Sequence, residues 1–186
     1  MHNKFEEKTL KTEQIFQGKV VHLQVDDVLL PNGEVSKREV IKHPGAVAVI
    51  AITPEKKIVL VEQYRKPLEK SILEIPAGKL ELGEQPEVTA IRELEEETGY
   101  TTEKLEFVTS FYTSPGFADE LLYVYFTDQL SPVKEEKKLD DDEFVELFEL
   151  TLEEAEKFVL EEKIHDVKTV YALLFLKDKL SWNNRP

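Results

Sequence analysis

Glu93, Glu96 and Glu97 stand within one helical turn of one another in the stretch GKLELGEQPEVTAIRELEEETGY, residues 78–100. Pro86 suits a first helical position and Gly99 the residue just past a helix end, so the spacing predicts a helix of about three turns between them. At about 100° per residue, Val88, Ile91 and Leu94 fall on one side and the three glutamates on the other. Glu95 falls near the apolar side, and the sequence offers no reason for it. Like charges at these separations each cost an isolated helix roughly 0.2–0.5 kcal/mol, and negative charge at a helix C-terminus opposes the macrodipole. Arg92 answers Glu96 at i,i+4, but one guanidinium does not balance four glutamates between positions 93 and 97. A hard divalent cation would, since magnesium takes one or two carboxylates, several waters and the phosphates of a substrate. The plain alternative is a solvated acidic face, common in a chain that is 33% charged.

The wider spacing favours the metal. Gly78, five residues, Glu84, seven residues, then Arg92-Glu93-Leu94-Glu95-Glu96-Glu97-Thr98-Gly99-Tyr100 resembles the Nudix box at every specified position. The resemblance implies a hydrolase of a nucleoside diphosphate linked to another group, with Mg²⁺ as the cofactor and Mn²⁺ as a substitute. By it, Glu93, Glu96 and Glu97 are metal ligands and Ala77 adds its backbone carbonyl. Arg92 holds the glutamates in place, and Gly78 lets the loop turn toward the metals. Glu84 either reaches a metal through water or favours the helix N-terminus. Arg92 and Glu96 join the catalytic set with Glu143, which lies in the acidic stretch DDDEFVE and resembles the general base of the ADP-ribose branch. Glu143 either takes the proton of the attacking water or orients that water, and the bland reading of DDDE is a solvated loop.

Substrate residues are sparser. Pro115 lies sixteen positions beyond Gly99 (115 − 99), in SPGFADE, which resembles the marker of the ADP-ribose branch; an ordinary turn is the alternative. Arg65 and Arg38 are candidates for pairing with the diphosphate, or for surface ion pairs. Glu120 is a candidate for a ribose hydroxyl or a metal-bound water. Phe16, Tyr64 and Phe117 are possible adenine walls or core residues.

The rest of the chain narrows the setting. Lys+Arg 24 against Asp+Glu 38 gives a net charge of −14 across 186 residues, which argues against nucleic acid and anionic membranes as partners. With no cysteines, disulfides, zinc thiolates and thiol nucleophiles are excluded. The longest apolar run, residues 46–52, is far short of the roughly 20 needed to span a bilayer, so the expectation is a cytoplasmic protein.

Runs at 20–30 and 34–41 flank Pro31-Asn32-Gly33 and predict a hairpin, with a bulge where the alternation slips at Asp26-Asp27. Further strands are expected at 46–53, 57–64, 72–74, 105–112, 121–126 and 144–150. Thr151-Leu152-Glu153-Glu154 reads as a capping box opening a helix, and Asp166 as the cap of a last one. Strands and helices interleave without a steady βαβ rhythm, so the fold class is α/β with a mixed sheet, in agreement with the α/β/α sandwich that the resemblance implies. Residues 1–43 are expected to form an antiparallel β appendage and 44–186 the hydrolase domain. The resemblance implies a homodimer formed through that arm.

The expected reaction is hydrolysis of ADP-ribose to AMP and ribose 5-phosphate. The alternatives are the same chemistry on another nucleoside diphosphate sugar such as GDP-mannose, and a non-catalytic nucleotide-sensing module. The intact set of box glutamates speaks against the last.

Overall fold

A computed structural model describes residues 4–135, 137, 139 and 144–183, the last four of these by backbone alone. The chain divides into two compact units, one of residues 1–45 with 111–122 and the other of 46–110 with 123–186.

The first unit is built on an antiparallel three-stranded sheet, β1 (Lys8–Gln17), β2 (His22–Leu29) and β3 (Val35–Lys42), in that order. The hairpin turn closes as Pro31-Asn32-Gly33 predicts: Gly33 N–H donates to Leu30 O at 2.9 Å, and Leu30 N–H to Glu34 O at 2.8 Å. The expected bulge is not in β2, whose register with β3 is unbroken from His22–Lys42 to Leu29–Val35. It lies on β1, where Leu10 and Ile15 are the extra residues against β2. The slip at Asp26-Asp27 therefore reports on the neighbouring strand. Segment 111–122 belongs to this unit. Ser114 O accepts the N–H groups of Phe117 and Ala118 at 3.1 and 2.9 Å, and the turn docks on β3 through Ile41 N–H to Phe117 O at 2.8 Å.

The second unit holds β4 (Ala46–Ala51), β5 (Ile58–Arg65), β6 (Lys70–Glu74), β7 (Ala77–Lys79) and β8 (Tyr100–Thr102), then all but the last two residues of β9 (Glu106–Tyr112), all but the first two of β10 (Leu121–Thr127), β11 (Leu130–Pro132) and β12 (Val145–Leu150). Its helices are α1 (Pro86–Thr98), α2 (Leu152–Leu160) and α3 (Val167–Asn183). The sheet orders are β7-β4-β10-β9, β12-β5-β6 and β11-β8.

Every residue of β4 is buried, the mark of a strand covered on both faces. Alternation decides which side each residue serves. Val47, Val49, Ala51, Val59 and Tyr125 pack with Ala90 and Leu94 of α1. Their neighbours Ile52, Ile58 and Phe126 line one wall with Leu176 of α3, and Phe126 meets the Phe175 ring at 5.7 Å. Strands with helices on opposite faces make this unit a mixed α/β layer fold. The capping box of α2 is present, with Glu154 N–H on Thr151 Oγ1 at 3.2 Å and Thr151 N–H on Glu154 Oε2 at 2.8 Å. Among the described residues no helix is long and apolar enough to cross a membrane.

Candidate active site

Helix α1 begins at Pro86 and ends where Gly99 turns left-handed at φ 70°, donating its N–H to Glu95 O at 3.0 Å. The helix is as the sequence predicts; its faces are not. Val88, expected on the apolar side, is 54% exposed, while Glu93 and Glu97 are buried in line with Ala90 and Leu94. The helix is covered on two flanks: Ala90 and Leu94 face the sheet, and Glu93 and Glu97 lie against the start of β7.

That strand receives each glutamate differently. Glu97 Oε2 accepts the N–H of Ala77 at 3.0 Å. Glu93 rests on Gly78 so closely that a β-carbon there would stand 1.9 Å from the carboxylate carbon. Gly78 is thus required for space, and its backbone is not left-handed. This corrects the expectation that it serves a tight turn.

Arg92 is the hub of the cluster. Its Nη1 donates to Glu93 at 2.9 Å and Glu96 at 3.0 Å, and its Nη2 to Glu84 at 3.2 Å. Burial works against the guanidinium charge, but the hydrogen bonds to Glu84 and Glu96 and the charges of Glu93 and Glu84 raise its pKa well above the ordinary arginine value. Glu84 also accepts from Thr89 Oγ1 at 2.8 Å, so in this state it anchors Arg92, a role the sequence reading did not weigh. Glu95, unexplained by its position on the wheel, accepts from Thr101 Oγ1 at 2.6 Å and pairs with Lys137. Burial disfavours its charge, and these two partners more than offset that, holding its carboxyl below the usual range.

Three carboxylates, Glu84, Glu93 and Glu96, gather around one arginine, and Glu97 lies one turn beyond Glu93 on the same helix. The donor set is all oxygen and carries excess negative charge, which suits a hard divalent cation. Among the described residues no three carboxylates already converge as a finished cage. Here Glu84, Glu93 and Glu96 close on Arg92 instead. Glu93, Glu96, Glu97 and the Ala77 carbonyl are the groups that would hold the ion.

Outside the cluster, Arg65 binds Glu74 through Nε at 2.6 Å and Nη2 at 2.9 Å, the ion-pair alternative left open for it, with a buried partner the sequence did not name. In the first unit, Arg38 donates to both oxygens of Glu7 at 2.7 Å, the ion-pair alternative left open for it. Glu120 accepts from Thr113 Oγ1, and its Oε1 stands 3.6 Å from His43 Nδ1. Tyr64 and Phe117, like Phe16, are exposed and not core residues. Glu143 lies outside the described residues.

Residues 42–174 match the NUDIX domain family, which accounts for well over half of the chain. The protein belongs to the Nudix family. Residues 7–41 match a second family, described as the nucleoside diphosphate sugar hydrolase N-terminal domain. Two curated Nudix-length relatives are similar nearly end to end. A methanol dehydrogenase activator of Bacillus methanolicus is 66% identical, covering 93% of this chain and 94% of that one. An ADP-ribose pyrophosphatase of Bacillus subtilis is 61% identical, covering 94% of each. A crystal structure of an ADP compounds hydrolase superposes with a TM-score of 0.83 over 97% of both chains at 20% identity, which shows the shared Nudix fold. Nudix hydrolases generally require a divalent cation, in keeping with the oxygen donor set of α1.

Proposed function

We propose that this Nudix protein hydrolyses ADP-ribose to AMP and ribose 5-phosphate, using Mg²⁺ with Mn²⁺ as a substitute. The carboxylate cluster on α1 carries the reaction class. The substrate is supported by the 61% identity, over 94% of both chains, with the B. subtilis protein named ADP-ribose pyrophosphatase. Water adds to one phosphorus as the bridging P–O bond breaks, and the physical obstacle is the ring of negative oxygens around that phosphorus. A bound divalent cation supplies charge neutralisation and makes water acidic enough to attack near neutral pH.

The chain's own residues arrange the rest. Ala77 and Gly78 fix Glu97 and Glu93 against β7, Arg92 keeps Glu84, Glu93 and Glu96 from repelling one another apart, and Arg65 takes a diphosphate oxygen. Glu143 accepts the water proton. Glu120 is assigned to a ribose hydroxyl or a metal-bound water.

The first unit also serves assembly. All ten residues of β1 are exposed, Leu10, Ile15 and Phe16 among them, which suits a strand covered by a second copy in a homodimer. Arg38 would have to leave its pair with Glu7 to bind substrate in that dimer. Sedimentation of the purified chain at micromolar concentration tests it, and a monomer at all concentrations rejects it.

A panel of nucleotide sugars, read by phosphate release after phosphatase coupling, tests the substrate. Turnover is expected to be highest with ADP-ribose; preference for GDP-mannose would reject the assignment, and binding without turnover in either metal would point to a sensor. The 66% identity with the B. methanolicus activator favours a second reading, in which the same chain stimulates a methanol dehydrogenase. Adding the chain to such a dehydrogenase and measuring alcohol oxidation distinguishes it.

A further inference from the structure

Charge that the proposed chemistry leaves unused is concentrated at the end of β6. Glu74 is 2% exposed and receives three charge-assisted bonds, two from Arg65 and one from Lys168 in the first turn of α3. Lys168 Nζ also donates to Asp166 Oδ1 at 3.0 Å. That oxygen caps α3 by accepting the N–H groups of Lys168 and Thr169 at 3.1 and 3.2 Å. Thr169 Oγ1 in turn accepts the N–H of Ile75 at 3.0 Å, so α3 holds both the Glu74 side chain and the backbone that leads to Ala77.

Arg65 and Glu74 are not opposite each other in the sheet. Arg65 faces Lys70 and Glu74 faces Val61, four positions along β5. At roughly 3.3 Å per residue that is about 13 Å of strand. The two side chains meet only by lying along the sheet toward each other. A strand-end arginine otherwise samples many rotamers, and fixing it is entropically costly. Here it is laid down and held by one edge. The pair uses Nε and Nη2, so Nη1 is the part of the fork that Glu74 does not use. Glu97, bound to the Ala77 N–H, acts electrostatically on the same guanidinium, which puts Arg65 in the field of one box glutamate. Lys168 shares the Glu74 charge, so that Arg65 is not its sole cation.

We propose that Glu74 and Lys168 are positioning residues for substrate binding, fixing Arg65 by one edge of its guanidinium so that the other edge is offered to a diphosphate oxygen. This rests on the reading of the chain as a nucleoside diphosphate sugar hydrolase. The test is steady-state kinetics with ADP-ribose on R65K, E74D, K168M and the double variant R65K/E74D. Glu74→Asp keeps the charge but, one methylene shorter, draws Arg65 back. Arg65→Lys is expected to raise KM roughly tenfold with kcat within about twofold, the signature of a binding contact equal in ground and transition states. Glu74→Asp should raise KM in the same way and add nothing to R65K, and Lys168→Met should raise it less. A fall in Tm for E74D with KM unchanged would overturn the proposal.

A second measurement needs no turnover: the Nε–H resonance of Arg65 in the metal-free wild type, titrated with ADP-ribose. The signal is expected to shift, and its failure to respond overturns the proposal even if E74D does not fold. A wild type that cleaves no ADP-ribose while this signal still responds would sink the assigned activity and support the positioning.

Discussion

Gly78 and Glu93 compete for one volume: the space a β-carbon would need at Gly78 is filled by the Glu93 carboxylate, 1.9 Å from its carbon and 2.0 Å from its nearer oxygen. What stands in the way is the far end of a flexible side chain. Gly78→Ala is therefore expected to push Glu93 aside while the fold yields only slightly, at the low end of the about 1–3 kcal/mol typical of overpacking. Turnover should fall on the order of 100-fold, as when a metal ligand loses its orientation. Calorimetric Tm measured beside kcat checks it; a variant that melts early but keeps its turnover would show that the contact matters only to stability.

Arg92 reaches three carboxylates at once from its two Nη nitrogens, which a single lysine ammonium cannot do with the same geometry. Arg92→Lys should leave the helix intact and weaken divalent ion affinity about 10–100-fold. Titration calorimetry with Mg²⁺ and a nonhydrolysable analogue reads it directly. Unchanged affinity would remove Arg92 as the organiser of the cluster.

What the sequence disclosed of this site, and what it hid, divides by distance along the chain. Pro86, Gly99 and the glutamate spacing are local signals, so α1 and its ends could be read directly. The burial of Glu93 and Glu97 could not, because it depends on strand β7, at Ala77-Gly78, lying against the helix. Glu95 looked misplaced for the same reason: its partners are Thr101, beyond the helix end, and Lys137, far downstream. Glu74 gave no signal at all, since a lone glutamate ending a strand reads as solvated until Arg65 and Lys168 arrive from two other elements. Strand β1 was missed because all its residues are exposed and no burial alternation marks it. Lys163 over the Phe158 ring, at 4.4 Å to its centroid, is another contact that no local pattern announces.

Glu74 gives the fold an acid-sensitive link. Burial works against its charge, but Arg65 and Lys168 more than compensate and depress its pKa below the ordinary 4.5. A carboxylate depressed in the folded state contributes stability that is fully present above its unfolded pKa and is lost as pH falls through the lower folded value. Stability should therefore decline below about pH 4.5, and Glu74→Gln should flatten that part of the curve. At neutral pH the same variant should cost about 3 kcal/mol, the low end for removing one partner of a buried pair, because Arg65 is 39% exposed and water screens it. Urea unfolding at several pH values checks both statements, and a Glu74→Gln curve parallel to wild type would contradict them.

Glu143 is the one proposed catalytic group placed by sequence alone, in the acidic stretch DDDEFVE. If it takes the proton of the attacking water, Glu143→Gln removes an interaction made only as the reaction proceeds. The expected result is a kcat lower by a factor of about 10²–10⁴ with substrate affinity nearly unchanged. A role in orienting water predicts a smaller loss, and partial recovery at high pH, where hydroxide is more abundant, separates the two. Near-normal turnover at neutral pH would remove Glu143 from the mechanism and move the search for the base to carboxylates already on the helix, Glu96 first, since it is held only by Arg92 among the described contacts and is less buried than Glu93 or Glu97.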